Sequence, residues 1–384
     1  MREKRYIITV ISARASFSRI KTALLELNKK KNVDLGIVLM ASAASNTHGN
    51  VIDQVKAYGL RIDGVLDTLS SLSDEYGQTL TTSSCISALS KLLWEKRPDA
   101  VITIADRYET IATAISASYL NIPLIHIQGG EVTGNIDEKV RHAITKLADI
   151  HLPSTEEAGN RLEKMGESRD SIFVTGCPSC DIAEDAMNAS ACANEILHAL
   201  GIGNEINWNK ESYIVVLQHS VTDEVEEAAK QIEQTFFAVK NLNLPVLWIG
   251  NNPDAGSKAI RNYIAENILE NSKSICFANN IPNEEFLVVL RDCKCIIGNS
   301  SVGIRECSYM GVPSVNIGSR QQGRLRGFNV EESSPNKDDI IRAYNIAIMK
   351  KRQGSFIYGD GHAGKKIADI ISSVKLTTKK RMSY

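Results

Sequence analysis

Short apolar runs recur along the first half of this chain, at 6–11, 35–39, 100–104, 124–127, 150–152 and 172–174, each followed by a longer stretch of mixed polarity. Runs this short and this apolar predict strands buried on both faces, and the stretches between them predict helices. That alternation is the pattern of βαβ units and a parallel sheet. It lapses over 185–209, where alanine, asparagine and glycine are frequent, and resumes with runs at 213–217, 246–249, 274–277, 295–297 and 314–317. The expected class is therefore α/β: two Rossmann-like doubly wound domains, 1–185 and 186–362, joined by a linker within 185–209.

Length and composition fit this picture. A chain of 384 residues, 43% of them hydrophobic, can bury two ordinary cores. Its 44 basic and 45 acidic side chains nearly cancel, leaving a formal charge of -1 and no electrostatic footprint for nucleic acid or an anionic membrane surface. An anionic substrate would have to be met by local arginines. The charged start, residues 1–5, leads into an apolar run too short for a signal peptide and reads as the first strand. No apolar stretch approaches the roughly 20 residues of a membrane span, so a soluble, cytoplasmic protein is expected. The eight cysteines form neither a disulfide framework nor paired metal-ligand spacing and read mostly as reduced core thiols. Cys177-Pro178-Ser179-Cys180, after an apolar run and a glycine, reads as a structural turn. No histidine has ligand spacing with cysteines or acids, so no metal is expected. The basic end Lys379-Lys380-Arg381 reads as a solvated, frayed terminus.

The densest chemistry follows the run at 124–127. His126-Ile127-Gln128-Gly129-Gly130-Glu131 sets a glycine turn at a predicted strand end, and Asp137, Glu138, Arg141 and His142 follow within a helix-like stretch. Open α/β sheets place their ligands at such strand ends. In the second half, Gly298-Asn299-Ser300-Ser301-Val302-Gly303-Ile304-Arg305-Glu306 follows another strand, with a helix predicted to begin near the two serines. Free backbone N–H groups there, with hydroxyls beside them, suit a diphosphate, and Ser300 and Ser301 are the predicted ligands. Arg320, in Gly318-Ser319-Arg320-Gln321, offers a fork of donors to phosphate oxygens. Arg14 and Ser18, after the first strand, can again meet a diphosphate. Ala105-Asp106-Arg107 and Gln218-His219-Ser220-Val221-Thr222 also stand at strand ends. Taken alone, Asp106 reads as a helix N-cap and His219 as a structural histidine.

The 126–131 block resembles the His-Ile-Glu-Gly-Gly-Glu signature of the hydrolysing UDP-N-acetylglucosamine 2-epimerases, which begin sialic acid biosynthesis, with Gln128 in place of the usual glutamate. Ser12 to Ser18 is similar to that family's Thr-Arg-Ala-Asp-Tyr-Gly segment or its Ser-ending variant, with Ser16 replacing the acid. Asp106-Arg107 resembles its Gly-Asp-Arg, 218–222 its Gln-His-Pro-Val-Thr, and 318–321 its Gly-Thr-Arg-Gln. The matches run collinearly from Arg14 to the 358–361 segment, nearly the whole chain.

The resemblance implies the GT-B architecture, two domains facing a cleft, with the nucleotide against the second domain and the last segment, 363–384, packing back on the first. It implies elimination of UDP across C1 and C2 of the sugar to give a glycal, then hydration to N-acetylmannosamine. Asp106 and Asp137 would belong to the acid/base group, with Glu131 and Glu138 nearby and Gln128 beside them. His219, Arg14, Arg107, Ser300, Ser301 and Arg320 would steady the departing diphosphate, Glu306 would hold the ribose, and Asn252 and Ile281 would line the uracil and ribose pocket. A UDP-sugar partner, no cofactor, and a homodimer or homotetramer are implied. A glutamine exchanges no proton at neutral pH, so several readings stay open. Another carboxylate takes over, or the substrate is a modified sugar, diacetamido or GDP-linked, or the protein binds without turnover. A GT-B glycosyltransferase would share the fold and the phosphate contacts.

Overall fold

A computed structural model describes residues 3–45, 50–72, 74–104, 107–132, 136–221, 224–251, 256–267, 274–381 and 383. Among these, the chain divides into two compact units, one of residues up to 181 together with those from 359 onward, the other of 182–358.

The first unit holds strands β1 (Arg5–Ile11), β2 (Val33–Met40), β3 (Ile62–Leu66), β4 (Ala100–Ile104), β5 (Leu124–Ile127) and β6 (Ile150–Leu152); the second holds β7 (Ile214–Leu217), β8 (Val246–Ile249), β9 (Ile275–Ala278), β10 (Cys295–Gly298), β11 (Ser314–Ile317) and β12 (Val330–Ser333). The first sheet runs β3-β2-β1-β4-β5-β6 and the second β12-β11-β10-β7-β8-β9, with every pairing parallel. Read from its own first strand, each sheet has the same doubly wound order. The helices between are α1 (Arg14–Asn28), α2 (Val51–Ala57), α3 (Glu75–Lys96), α4 (Ile111–Tyr119), α5 (Ile136–Leu147), α6 (Glu156–Lys164), α7 (Pro178–Asn188), α8 (Ala193–Ala199), α9 (Ala228–Asn241), α10 (Ser257–Asn267), α11 (Asn283–Asp292), α12 (Glu306–Met310), α13 (Lys337–Met349) and α14 (Ala363–Ser373).

The first sheet is buried on both faces, which is why its central strands are apolar without alternation. Ile7 and Ile11 of β1 point to a core shared with Leu24 of α1 and with Ile367 and Ile371 of α14. Tyr6, Ile8 and Val10 point the other way, against Cys85, Leu89 and Leu93 of α3. Helix α14 reaches α1 at close quarters: a Cβ on Gly364 would stand 2.8 Å from the backbone nitrogen of Ala23. Its start is capped by the Asp181 carboxylate, which accepts from the amides of Ala363 (2.8 Å) and Gly364 (2.7 Å) and from the Thr22 hydroxyl (2.9 Å). Burial pushes the Asp181 pKa up, against these bonds.

Several local expectations are corrected. Strands β3 and β12 have no counterpart among the predicted runs. Residues 172–174 form no strand; Ile172 makes an isolated bridge to His151. The 185–209 stretch carries the end of α7 and all of α8, so it is not an unstructured linker. Lys380 is not frayed: its ammonium donates to the carbonyls of Thr145 (2.8 Å) and Ala148 (2.5 Å). Among the described residues, no helix is long and apolar enough to cross a membrane. No group of three histidine, cysteine or acidic side chains there could hold a metal. All eight cysteines are free, and six are buried.

Candidate active site

Strand order fixes where side chains from distant motifs meet. In the first sheet β1 lies beside β4, and the chain leaves them in opposite directions, to β2 and to β5. In the second sheet β7 and β10 stand in the same relation. A crevice opens at the carboxyl ends of such strand pairs, where the connections part. The segments after these four strands carry Arg14 and Ser18 in the first turns of α1, then Arg107, His219 and Asn299-Ser300-Ser301. Asp106 and Asn252 lie outside the described residues.

The second unit gathers its candidate residues around Asn299, a residue to which sequence reasoning gave no role. Gly298 ends β10 at φ +149, with Leu217 so close that a Cβ would lie 2.0 Å from its carbonyl oxygen. That approach brings Asn299 and His219 together. The His219 amide donates to Asn299 Oδ1 (2.7 Å), and Asn299 Nδ2 donates back to the His219 carbonyl (2.8 Å). The Asn299 carbonyl accepts from Arg320 Nη1 (3.2 Å) and Gln321 Nε2 (2.9 Å). One buried asparagine thus ties the β7 and β10 loops to the loop after β11. Burial, followed by the charge of Arg320, lowers the His219 pKa well below its ordinary value, so the imidazole is neutral at pH 7.

The serines do not open an α-helix. Ser300 precedes a 3₁₀ turn, Ser301–Gly303, and α12 begins only at Glu306. The turn packs Gly303 against β11, where a Cβ would come within 2.5 Å of Ser314 Oγ. Glu306 therefore sits in the first turn of α12, beyond the 3₁₀ turn that follows Ser300. Its side chain is buried, and Oε2 has no hydrogen-bond partner among the described residues. Such an acceptor is costly unless a ligand donor reaches it. Ser301 Oγ accepts from the buried Arg305 (2.9 Å), and Ile281 is buried beyond β9.

In the first unit, β5 ends in an unusual turn. Gln128 is buried and holds a left-handed backbone at φ +65, with its amide donating to the Leu152 carbonyl (3.0 Å). A non-glycine residue in that region stores strain, a recurrent mark of functional sites. Its side-chain Nε2 donates to Cys177 Sγ at 2.9 Å, and that thiol lies 2.9 Å from the Ser179 hydroxyl. Gly129 is jammed against His126: an added Cβ would stand 2.9 Å from Nδ1. Gly130, at φ +78, would bring a Cβ within 2.4 Å of the Ala158 carbonyl. Neither position admits another residue without movement.

Beyond the turn, Glu131 is buried, and its carbonyl accepts from Nη1 of the fully buried Arg141 (2.7 Å). Asp137 and Glu138 occupy the first turn of α5, where the helix dipole favours negative charge. Glu138 pairs with His142 one turn on, at 3.3 Å. The β4–β5 register, Ile104 opposite Ile127, sets the loop carrying Arg107 beside the Gln128 turn. Arg107 is partly committed to the buried Glu109, with Nε 2.9 Å from Oε1. Arg14 and Ser18 lie one turn apart at the start of α1, which has no acid in its first turn. The candidate residues of the first unit are thus carboxylates and a carboxamide, and those of the second are a neutral imidazole with arginine and hydroxyl donors.

The UDP-N-acetylglucosamine 2-epimerase family matches residues 25–372. The chain belongs to that family. It is 29% identical over 374 residues to the UDP-N,N'-diacetylbacillosamine 2-epimerase (hydrolyzing) of Legionella pneumophila, covering 97% of each chain. It is 31% identical over 349 residues to the polysialic acid biosynthesis protein P7 of Escherichia coli, covering 90% of this chain and 86% of that one. Among solved structures, the Neisseria meningitidis UDP-GlcNAc 2-epimerase bound to UDP-GlcNAc superposes with a TM-score of 0.81 at 19% identity, over 95% of this chain and 99% of that one. That likeness shows the fold: two doubly wound parallel units of the GT-B type.

Proposed function

We propose that this epimerase-family member is a hydrolysing 2-epimerase of a UDP-N-acetylhexosamine, converting UDP-N-acetylglucosamine to UDP and N-acetylmannosamine. The observation that carries the reading is the turn at Gly129. The non-hydrolysing epimerases typically place alanine there and leucine two residues later, and here an alanine Cβ would stand 2.9 Å from His126 Nδ1 while Glu131 is a buried acid. A turn this tight around Gly129, with a buried acid at 131, supports the reading that the chain is of the hydrolysing branch.

In the reaction, a base takes the C2 proton, the C1–O bond breaks, and UDP leaves with the bonding pair, giving a glycal. Water then supplies hydroxyl to C1 and a proton to the opposite face of C2. The C2 proton is weakly acidic, so C1–O cleavage has to run ahead, and a cationic sugar and a departing diphosphate need stabilisation together. Asp106 and Asp137 are the proposed acid/base pair, with Glu131 and Glu138 stabilising positive charge at the sugar. Gln128 contributes a neutral carboxamide oriented by the bond from its Nε2 to Cys177. Arg14, Ser18, Arg107, Ser300, Ser301 and Arg320 meet the diphosphate, and neutral His219 donates one N–H to it. Glu306 accepts from the ribose hydroxyls, and Asn252 and Ile281 border the base.

A second reading, a diacetamido sugar nucleotide as substrate, is favoured by the end-to-end match to the Legionella pneumophila enzyme of that name. Proton NMR in heavy water separates the two. UDP-N-acetylglucosamine should give UDP and N-acetylmannosamine deuterated at C2. Turnover of the diacetamido nucleotide alone moves the assignment to that sugar, and UDP-sugar binding with no UDP released from either overturns hydrolysis.

A further inference from the structure

Helix α5 carries Asp137 and Glu138 at its start, and the far end of the same helix is held by the chain's last residues. Lys380 Nζ donates to the carbonyls of Thr145 (2.8 Å) and Ala148 (2.5 Å), two of the acceptors that a helix end leaves open. The same ammonium pairs with Glu167 Oε2 at 2.6 Å, on a carboxylate whose side chain is only 1% exposed. Glu167 also receives Lys146 of α5 (2.7 Å) and His151 of β6 (3.0 Å). The tail is tied down again at Ser383, whose amide donates to the Gly166 carbonyl (2.9 Å). A basic side chain against a helix carboxyl end is favourable in its own right, and here it is half-buried and triply bonded.

Polar ties hold α5 near its start, where Arg141 donates to the Glu131 carbonyl, and at its end, where Lys146 donates to the Met165 carbonyl (2.9 Å) and this cluster gathers on Lys380 and Glu167. We infer that Lys380 is a positioning residue for the site, a staple through which the C-terminal tail sets the placement of α5 and hence of Asp137 and Glu138. The inference rests on the proposed hydrolysing reaction for its catalytic consequence and on geometry alone for the placement of α5. Nothing in the reaction needs the tail to touch substrate, so its effect falls on the chemical step and leaves the diphosphate contacts of the second unit alone.

The test compares wild type, Lys380→Met, Lys380→Arg and a chain ending at Val374, by amide exchange of α5, UDP affinity and steady-state rates. Lys380→Met and the truncation should raise exchange along α5 at least tenfold, including its first turn, lower kcat about tenfold and leave UDP affinity within twofold. Lys380→Arg should restore most of the rate. Faster exchange confined to 145–148, or a kcat unchanged beside an active wild type, overturns the inference. Equal losses of kcat, UDP affinity and thermal stability would mark Lys380 as merely structural and overturn it too. If wild type turns over no nucleotide sugar, the proposed function fails, and exchange at 137–142 still decides whether the tail places the helix.

Discussion

The carboxamide of Gln128 donates to the Cys177 thiol across 2.9 Å, joining the turn after β5 to the start of α7. Both side chains are buried, and 49 residues separate them. The bond orients the amide: one Nε2–H is given to the thiol, and the second N–H and the oxygen keep their donor and acceptor capacity. A glutamine so held is a neutral counterpart of a carboxylate, keeping the acceptor and giving up the charge.

The Gln128→Glu variant cannot donate to Cys177 and buries a carboxylate beside a thiol. We expect kcat to fall about tenfold at pH 7.5, with an acid limb appearing in the rate profile as the new carboxyl titrates. Cys177→Ala should loosen the amide and raise KM more than it lowers kcat. A Gln128→Glu enzyme faster than wild type would mean the site is impaired by its glutamine, contrary to this geometry.

Gly129→Ala tests the turn itself. A Cβ 2.9 Å from His126 Nδ1 forces the histidine or the turn to move, and overpacking of this kind costs about 1–3 kcal/mol. Because Glu131 is two residues on, kcat/KM should fall by about a hundredfold, while UDP affinity, which the proposed function assigns largely to the second unit, should change little. An alanine variant with wild-type kcat/KM would remove the argument that this turn distinguishes the hydrolysing branch.

Asn299 answers two backbone groups of His219 at once. Asn299→Ala leaves a buried N–H and C=O without partners, at about 1–3 kcal/mol each, and should lower the stability of the second unit in urea melts. Asn299→Asp keeps the acceptor for the His219 amide and loses the donor, so it should lie between the two. If alanine and aspartate variants bind UDP as wild type does, the asparagine does not order the phosphate loops.

How much of this was legible beforehand depends on whether the signal is local. Apolar runs buried on both faces announce themselves, so ten of the twelve strands among the described residues are legible. Strand β3 hides because it is a half-exposed edge interrupted by Asp63 and Gly64, and β12 because Glu331 and Glu332 fill an edge strand. The motif residues were visible since glycines and charges cluster at strand ends. Their supports were not: Cys177 reaches Gln128, and Lys380 reaches Thr145, only through the tertiary fold. Asn299 did leave a trace, directly after a strand-ending glycine inside a motif already noticed, but nothing in the sequence says that its partner is a backbone 80 residues away.

The His151–Glu167 pair gives the first unit a defined acid sensitivity. Burial opposes ionisation of Glu167, but hydrogen bonds from His151, Lys146 and Lys380 overcome it and hold the pKa at about 2, below the ordinary 4.5. Burial also lowers the His151 pKa from 6.5, against the pull of Glu167. In both cases the unfolded chain binds a proton that the native state refuses, so stability falls as pH falls. The histidine's share should be lost from about pH 6.5 downward, and the glutamate's between about pH 4.5 and 2. Glu167→Gln leaves Lys146 and Lys380 facing a neutral amide, so it should cost about 3 kcal/mol at pH 7 and flatten the lower limb of the stability profile. Urea melts at intervals from pH 7.5 to 3 on wild type and Glu167→Gln would show this, and equal slopes below pH 4.5 in the two proteins would assign the acid sensitivity to other carboxylates.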